Sequence, residues 1–242
     1  MQPSSRATKL FIFAFIALGA NLATAGTMSA ASTHAPLSEQ RWMAAGNLGR
    51  ALPSVREGDV IFIRVRHALY RRIAETSGSW ESHVGIILRN HDGAWMVAES
   101  TIPVSRFTPL ARFVGRSENG RFLIRRLRDG VSEGDVRRLH VAAGNRMGKL
   151  YDTGFNYDSP RQYCSKFVFD CFHEAVGRPV GKLETFSDML AGNPGAPVAF
   201  WRAWFLGRIP WERRCVTTAS QLHAPNMVTV FDSKAAPDEE AR

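Results

Sequence analysis

The chain has 242 residues, with 31 Lys and Arg against 22 Asp and Glu and a formal net charge of +9. Its length suits one well-cored domain and little more. The charge is carried mostly by scattered arginines, which points to anionic cell-envelope partners; with no basic-aromatic recognition motif beside it, a nucleic-acid partner is not expected.

The first residues read as an export signal. Arg6 and Lys9 precede an apolar run from Leu10 to Leu22, broken only by Gly19 and Asn21, and Ala23-Thr24-Ala25 then offers a small-x-small cleavage pattern. The run is too short for a stable membrane span. Residues 1–25 are therefore expected to be a signal peptide, and the protein exported, periplasmic or extracellular. No cysteine follows the cleavage pattern, so lipid attachment there is not indicated. Residues 26–36 read as a flexible leader, 37–232 as a single domain, and 233–242 as a mobile tail.

Within the domain, Leu37 to Leu52 has helix-like content and is stopped by Pro53. Asp59 to Val65 is a β-branched, apolar strand candidate. Arg66 to Glu75 reads as a basic helix ended by Gly78 and Ser79. Ser82 to Leu88 and Trp95 to Glu99 are two further strands around the polar loop Arg89 to Gly93, and Arg121 to Leu127 is a fourth. Ser132 is a candidate N-cap for a helix reaching about Met147. Ser159-Pro160-Arg161-Gln162 has the residues of a capped helix start, with the helix running through Val176 to a stop at Gly177. Met227 to Phe231 is a last short strand. Helices early and late with an antiparallel sheet between them make an α+β class.

Three cysteines, Cys164, Cys171 and Cys215, make an odd number for an oxidising compartment. That suggests one free reactive thiol, with Cys171 and Cys215 the candidate disulfide pair. Cys164 falls in the first turns of the predicted helix, where the positive end of the helix dipole favours a thiolate. His83 lies on the second strand beside Gly85, which leaves space above the imidazole. Glu99 ends the next strand. If the intervening loop is the five residues Arg89 to Gly93, Leu88 pairs with Ala94 and His83 falls directly opposite Glu99; a two-residue turn at Asp92-Gly93 would put Glu99 on the other face. A thiol, a histidine and a group to orient that histidine are what nucleophilic cysteine chemistry requires. The Cys164 amide, with Tyr163, is the candidate oxyanion site. No metal-ligand spacing occurs, and no cofactor is expected.

Five blocks carry a resemblance. Glu57-Gly58-Asp59-Val60-Ile61-Phe62, Ser82-His83-Val84-Gly85-Ile86, Ala98-Glu99-Ser100, Tyr151-Asp152 and Tyr163-Cys164-Ser165-Lys166-Phe167-Val168 resemble, in this order, the circularly permuted NlpC-type cysteine hydrolases of the YiiX/YebB kind. The resemblance implies a papain-like α+β fold and a Cys-His-polar triad of Cys164, His83 and Glu99. It places Tyr163 and Asp59 beside the site. Lys166 stands where the family pattern usually has an acidic residue. The resemblance and the export signal imply amide hydrolysis in cell-wall peptide. The alternatives are a lipid-directed thioesterase, amidase or acyltransferase, and a catalytically silent envelope-binding module. Residues 199–214 interleave Phe200, Trp201, Trp204, Phe205 and Trp211 with Arg202, Arg208, Arg213 and Arg214. Such a segment suits an anionic membrane surface, the wall of a substrate groove, or plain packing onto the domain.

Overall fold

The computed structural model describes residues 37–234. The expected signal peptide, the leader and most of the tail lie outside them. The β-branched run Val60–Val65 forms β1 at the centre of a six-stranded sheet. It pairs antiparallel with β2 (His83–Arg89) on one side and β5 (Ser117–Leu127) on the other. The sheet continues outward through β3 (Trp95–Glu99) and β4 (Arg106–Pro109) beyond β2, and through β8 (Met227–Asp232) beyond β5. Its strand order is β4-β3-β2-β1-β5-β8, antiparallel at every pairing.

Alternation along the strands divides the core into two layers. Val84, Ile86 and Leu88 of β2, with Val60 and Phe62 of β1, pack against α4 (Glu133–Gly144) and α5 (Cys164–Val176). Ile87 of β2, with Ile61 and Ile63 of β1, packs on the opposite face against α1 (Leu37–Ala51) and α3 (Leu110–Val114). Helix α2 (Ala68–Ser77) packs against β1, and its Tyr70 meets His83 at the start of β2. A third apolar cluster gathers Leu69 of α2, Tyr151, Phe155 and Tyr163 with the short elements α6 (Phe186–Ala191), α7 (Val198–Trp204) and β7 (Arg214–Val216), the last of which pairs antiparallel with β6 (Leu183–Thr185). Trp201 anchors this cluster, 2% exposed, with its indole N–H donated to Thr76 Oγ1 at 2.6 Å. The helix α8 (Thr218–Leu222) leads into β8.

Three expectations are corrected here. Helix α5 begins at Cys164 rather than at Pro160. Ser159 Oγ accepts the Arg161 N–H, and the Gln162 backbone pairs with residues 150 and 152, so the residues that suggested a helix start serve a turn and a bridge instead. The β2–β3 register pairs Arg89 with Trp95, leaving a five-residue loop shifted by one position. Asn90 sets that loop, its Oδ1 accepting from Asp92 N at 3.1 Å and Ala94 N at 2.8 Å. All three cysteines are free thiols. Cys171 faces the α4–α5 core and Cys215 the third cluster, so they have separate surroundings rather than a shared bridge.

Candidate active site

The register brings Glu99 level with Gly85, one step beyond the pair Ile86–Ala98, and so diagonal to His83 on the same face. A slip of two residues in pairing preserves the face, and the diagonal distance suits a glutamate reaching an imidazole. His83 Nε2 and Glu99 Oε2 are 2.5 Å apart, and both side chains are fully buried. Gly85 makes this possible, but not by leaving room for substrate. A Cβ there would lie 2.4 Å from Val97 Cγ1 and 3.4 Å from the Phe113 ring. The space is filled by Val97 and by Phe113, whose ring stacks on the imidazole at 5.5 Å and 28°. Tyr70 of α2 meets the imidazole edge-on, at 5.4 Å and 88°.

Glu99 is held from three further positions. Thr108 Oγ1 donates to Oε1 at 2.6 Å, Arg116 Nη2 donates to Oε2 at 2.7 Å, and Arg106 Nε lies 3.9 Å from Oε1. Arg106 is the β4 partner of Glu99, and Thr108 sits two residues further along the same face. Burial would raise the carboxyl pKa, but the hydrogen bond and charge of His83, with Arg116, hold it down at about 2.

The other imidazole nitrogen, Nδ1, is buried and makes no conventional hydrogen bond. Burial alone would lower the imidazole pKa. Hydrogen bonding and charge from Cys164 and Glu99 outweigh it, so the pKa is raised. Cys164 is the first residue of α5 and 2% exposed, with Tyr163 as its N-cap. The Tyr151 hydroxyl lies 4.0 Å from Cys164 Sγ, and burial together with the nearby thiol pushes the phenol pKa well up. Tyr151 is thus a proton donor beside the sulfur. Cys171 and Cys215, by contrast, are thiols that burial pushes up to about 12.

Of the two expected neighbours, Tyr163 lies beside Cys164 and lines the same cavity, whereas Asp59 is placed elsewhere. The Tyr163 hydroxyl accepts the Val216 N–H at 2.9 Å, which commits it to holding β7. Asp59 lies at the other end of β1 from Ile63, the partner of His83. Its carboxylate accepts from Arg126 at 2.6 and 2.8 Å and from the Arg56 N–H at 2.8 Å. Lys166 bonds the carbonyls of Ser159 and Arg161, the latter at 3.1 Å, and so ties down the turn before α5. Arg116, Thr108 and Tyr70 had no signal in the sequence, because each reaches the site through tertiary packing. Tyr151 stood in a recognised block without an assigned role.

A cysteine at a helix N-terminus, near a strand histidine held by a carboxylate, is the arrangement that papain-like cysteine hydrolases use. Residues 54–231 match the family described as permuted papain-like amidase enzymes, YaeF/YiiX, C92 family, and the chain belongs to it. It is 28% identical over 173 residues to YiiX of Escherichia coli (strain K12), an uncharacterized protein, covering 72% of this chain and 84% of that one. A solved structure, that of the metalloprotein yiiX from Escherichia coli O157:H7 (DUF1105), is similar with a TM-score of 0.69 and 27% identity. The match covers 74% of this chain and 98% of that one. Among the described residues of this chain, no three His, Cys, Asp or Glu side chains are grouped to hold a metal ion. Glu99 is already engaged by His83 Nε2, Thr108 and Arg116, so the donor set here does not fit a metal.

Proposed function

We propose that the chain is an envelope-directed cysteine amidase that works through a thioester on Cys164. The observation that carries this reading is the His83–Glu99 contact of 2.5 Å with Nδ1 left for the thiol. His83 takes the thiol proton, and the sulfur attacks the amide carbonyl carbon. The Cys164 backbone N–H and the Tyr151 hydroxyl donate to the resulting oxyanion. The imidazolium then gives its proton to the departing amine, leaving a thioester. A water, deprotonated by His83, cleaves the thioester, and the thiol recovers its proton as the acid departs.

Export by residues 1–25 would bring the enzyme to cell-wall peptide, the substrate class we assign first. Cleavage after Ala25, read by mass analysis of the mature N-terminus, tests the export; a mature protein retaining Leu10 to Leu22 removes it. A second reading, an amide or thioester of an apolar acyl group, is favoured by one feature. A cavity of about 40 Å³ opens beside Cys164 between Ile73, Phe155, Phe186, Met189 and Trp201, and its lining is almost wholly apolar. We further propose that the tip following α7 contacts anionic lipid. Trp204, Leu206 and Trp211 are 39, 91 and 44% exposed there, and the exposed Arg202 and Arg208 have no ion-pair partner among the described residues. Incubation with purified cell wall and, separately, with lipid extract decides between the substrates. Mass spectrometry of the products names the bond cut, and no Cys164-dependent product from either source would overturn the amidase reading.

A further inference from the structure

Glu99 Oε2 receives two donors, His83 Nε2 at 2.5 Å and Arg116 Nη2 at 2.7 Å. Arg116 sits in the turn between α3 and β5, its N–H bonded to the Phe113 carbonyl. Its guanidinium carbon lies 4.9 Å from the centre of the Phe113 ring, whose other neighbour is the His83 imidazole. The arginine therefore braces both members of the pair, the carboxylate by a charged hydrogen bond and the imidazole through the intervening ring.

The need for such a cation follows from the proposed cycle. A fully buried carboxylate is stable as an anion only while a positive charge faces it. When His83 carries two protons, it supplies that charge. When it has passed a proton to the leaving amine, it does not. The groups facing Glu99 are then Thr108 and Arg106 from β4, Tyr70 from α2 and Arg116. Arg106 is 3.9 Å away and 42% exposed, Thr108 is neutral, and the phenol of Tyr70 adds no cation. The groups facing His83 are Cys164, Glu99, Tyr70 and Phe113. Arg116, 25% exposed and in direct contact, is the cation that remains.

We propose that Arg116 is a positioning residue that keeps Glu99 ionised throughout turnover, so that the proton shared by the His83–Glu99 pair rests on His83 Nε2. This rests on the amidase reading above and adds Arg116 to its machinery. With the proton on Nε2, the neutral ring presents the lone pair of Nδ1 to the Cys164 thiol. Were Glu99 to take up a further proton and donate it to Nε2, the single proton of the neutral ring would sit on Nδ1, and the base would be blocked toward the sulfur.

The test is nitrogen NMR of the full chain labelled at histidine, with His83 assigned by the resonances lost in His83→Gln. In the wild type, Nε2 should stay protonated across the neutral range. In Arg116→Gln, the Nε2 resonance should move toward the unprotonated position, and Arg116→Lys should restore it. In the same samples, alkylation of Cys164 by iodoacetamide should slow about tenfold in Arg116→Gln, the equivalent of one pKa unit of lost bias. A folded Arg116→Gln protein with an unchanged Nε2 signal overturns the proposal, as does a change that Arg116→Lys does not reverse. The underlying reading fails separately, if His83→Gln leaves Cys164 alkylation at the wild-type rate.

Discussion

Two fully buried carboxylates, Asp59 just before β1 and Glu99 at the end of β3, are each bonded to an arginine, and they do opposite work. Asp59 immediately precedes β1, four residues before Ile63, the position level with His83, or roughly 13 Å along the chain. Its partners are Arg126 and the Arg56 N–H, and it joins the turn before β1 to β5. Burial pushes its pKa up, and Arg126 only partly offsets that. Glu99 is just as buried, yet it is held at about 2 because a histidine faces it as well. A buried acid–arginine pair is thus a structural device by itself. It becomes part of a site when the same carboxylate also orients an imidazole that has a free nitrogen aimed at a nucleophile.

The sharpest break between the two carboxylates is functional. Glu99→Gln should lower amide turnover by about 10²–10⁴-fold, because the imidazole loses the charge that fixes its tautomer. Asp59→Asn should leave turnover within about twofold, while costing about 1 kcal/mol of stability through weakened hydrogen bonds to Arg126 and the Arg56 N–H. Turnover and urea unfolding of both variants measure the contrast. Loss of turnover in Asp59→Asn at wild-type stability would return Asp59 to the site.

Acid titration sharpens the same comparison. The folded pKa of Glu99 is depressed, so its contribution is complete above the ordinary carboxylate range and is lost as pH falls through about 2. The folded pKa of Asp59 is raised, so its contribution has the opposite sign and falls as pH rises through the carboxylate range. Urea midpoints across the acid range should therefore fall less on acidification in Glu99→Gln than in wild type. In Asp59→Asn they should fall more. Parallel profiles in all three proteins would contradict the two charge states.

Smaller effects are expected away from the carboxylates. Cys171→Ala should keep most activity and cost about 1 kcal/mol, as a small truncation within a packed helix face. Substitution of Trp204 and Leu206 by Ser should reduce flotation with vesicles containing anionic lipid severalfold and leave behaviour with neutral vesicles unchanged. Equal flotation of variant and parent would remove the membrane contact.

How far these features were legible in the sequence differs by residue. β1 was visible because Val60, Ile61, Ile63 and Val65 stand together in a short run with Phe62. The shared face of His83 and Glu99 was visible because a five-residue loop fixes parity, although the Asn90 side chain moved the pairing by one position at each end of the loop. Ser159 and Pro160 misled, since a serine bonding two residues ahead serves a turn as readily as a helix cap. The elements from Leu183 to Val216 were not legible, being only three to seven residues long and held by Trp201 rather than by their own periodicity. Arg116 and Thr108 reach Glu99 from positions 17 and 9 residues away, a proximity that only the folded sheet creates.

The central claim is that Cys164 forms a covalent thioester with the help of His83. Rapid quenching of the protein during incubation with cell-wall and lipid fractions, followed by peptide mass spectrometry, reads this directly. An acyl adduct is expected on the peptide containing Cys164, absent in Cys164→Ala and strongly reduced in His83→Gln, with Cys171 and Cys215 unmodified. An adduct on either of those cysteines, or product release that persists in Cys164→Ala, would contradict it.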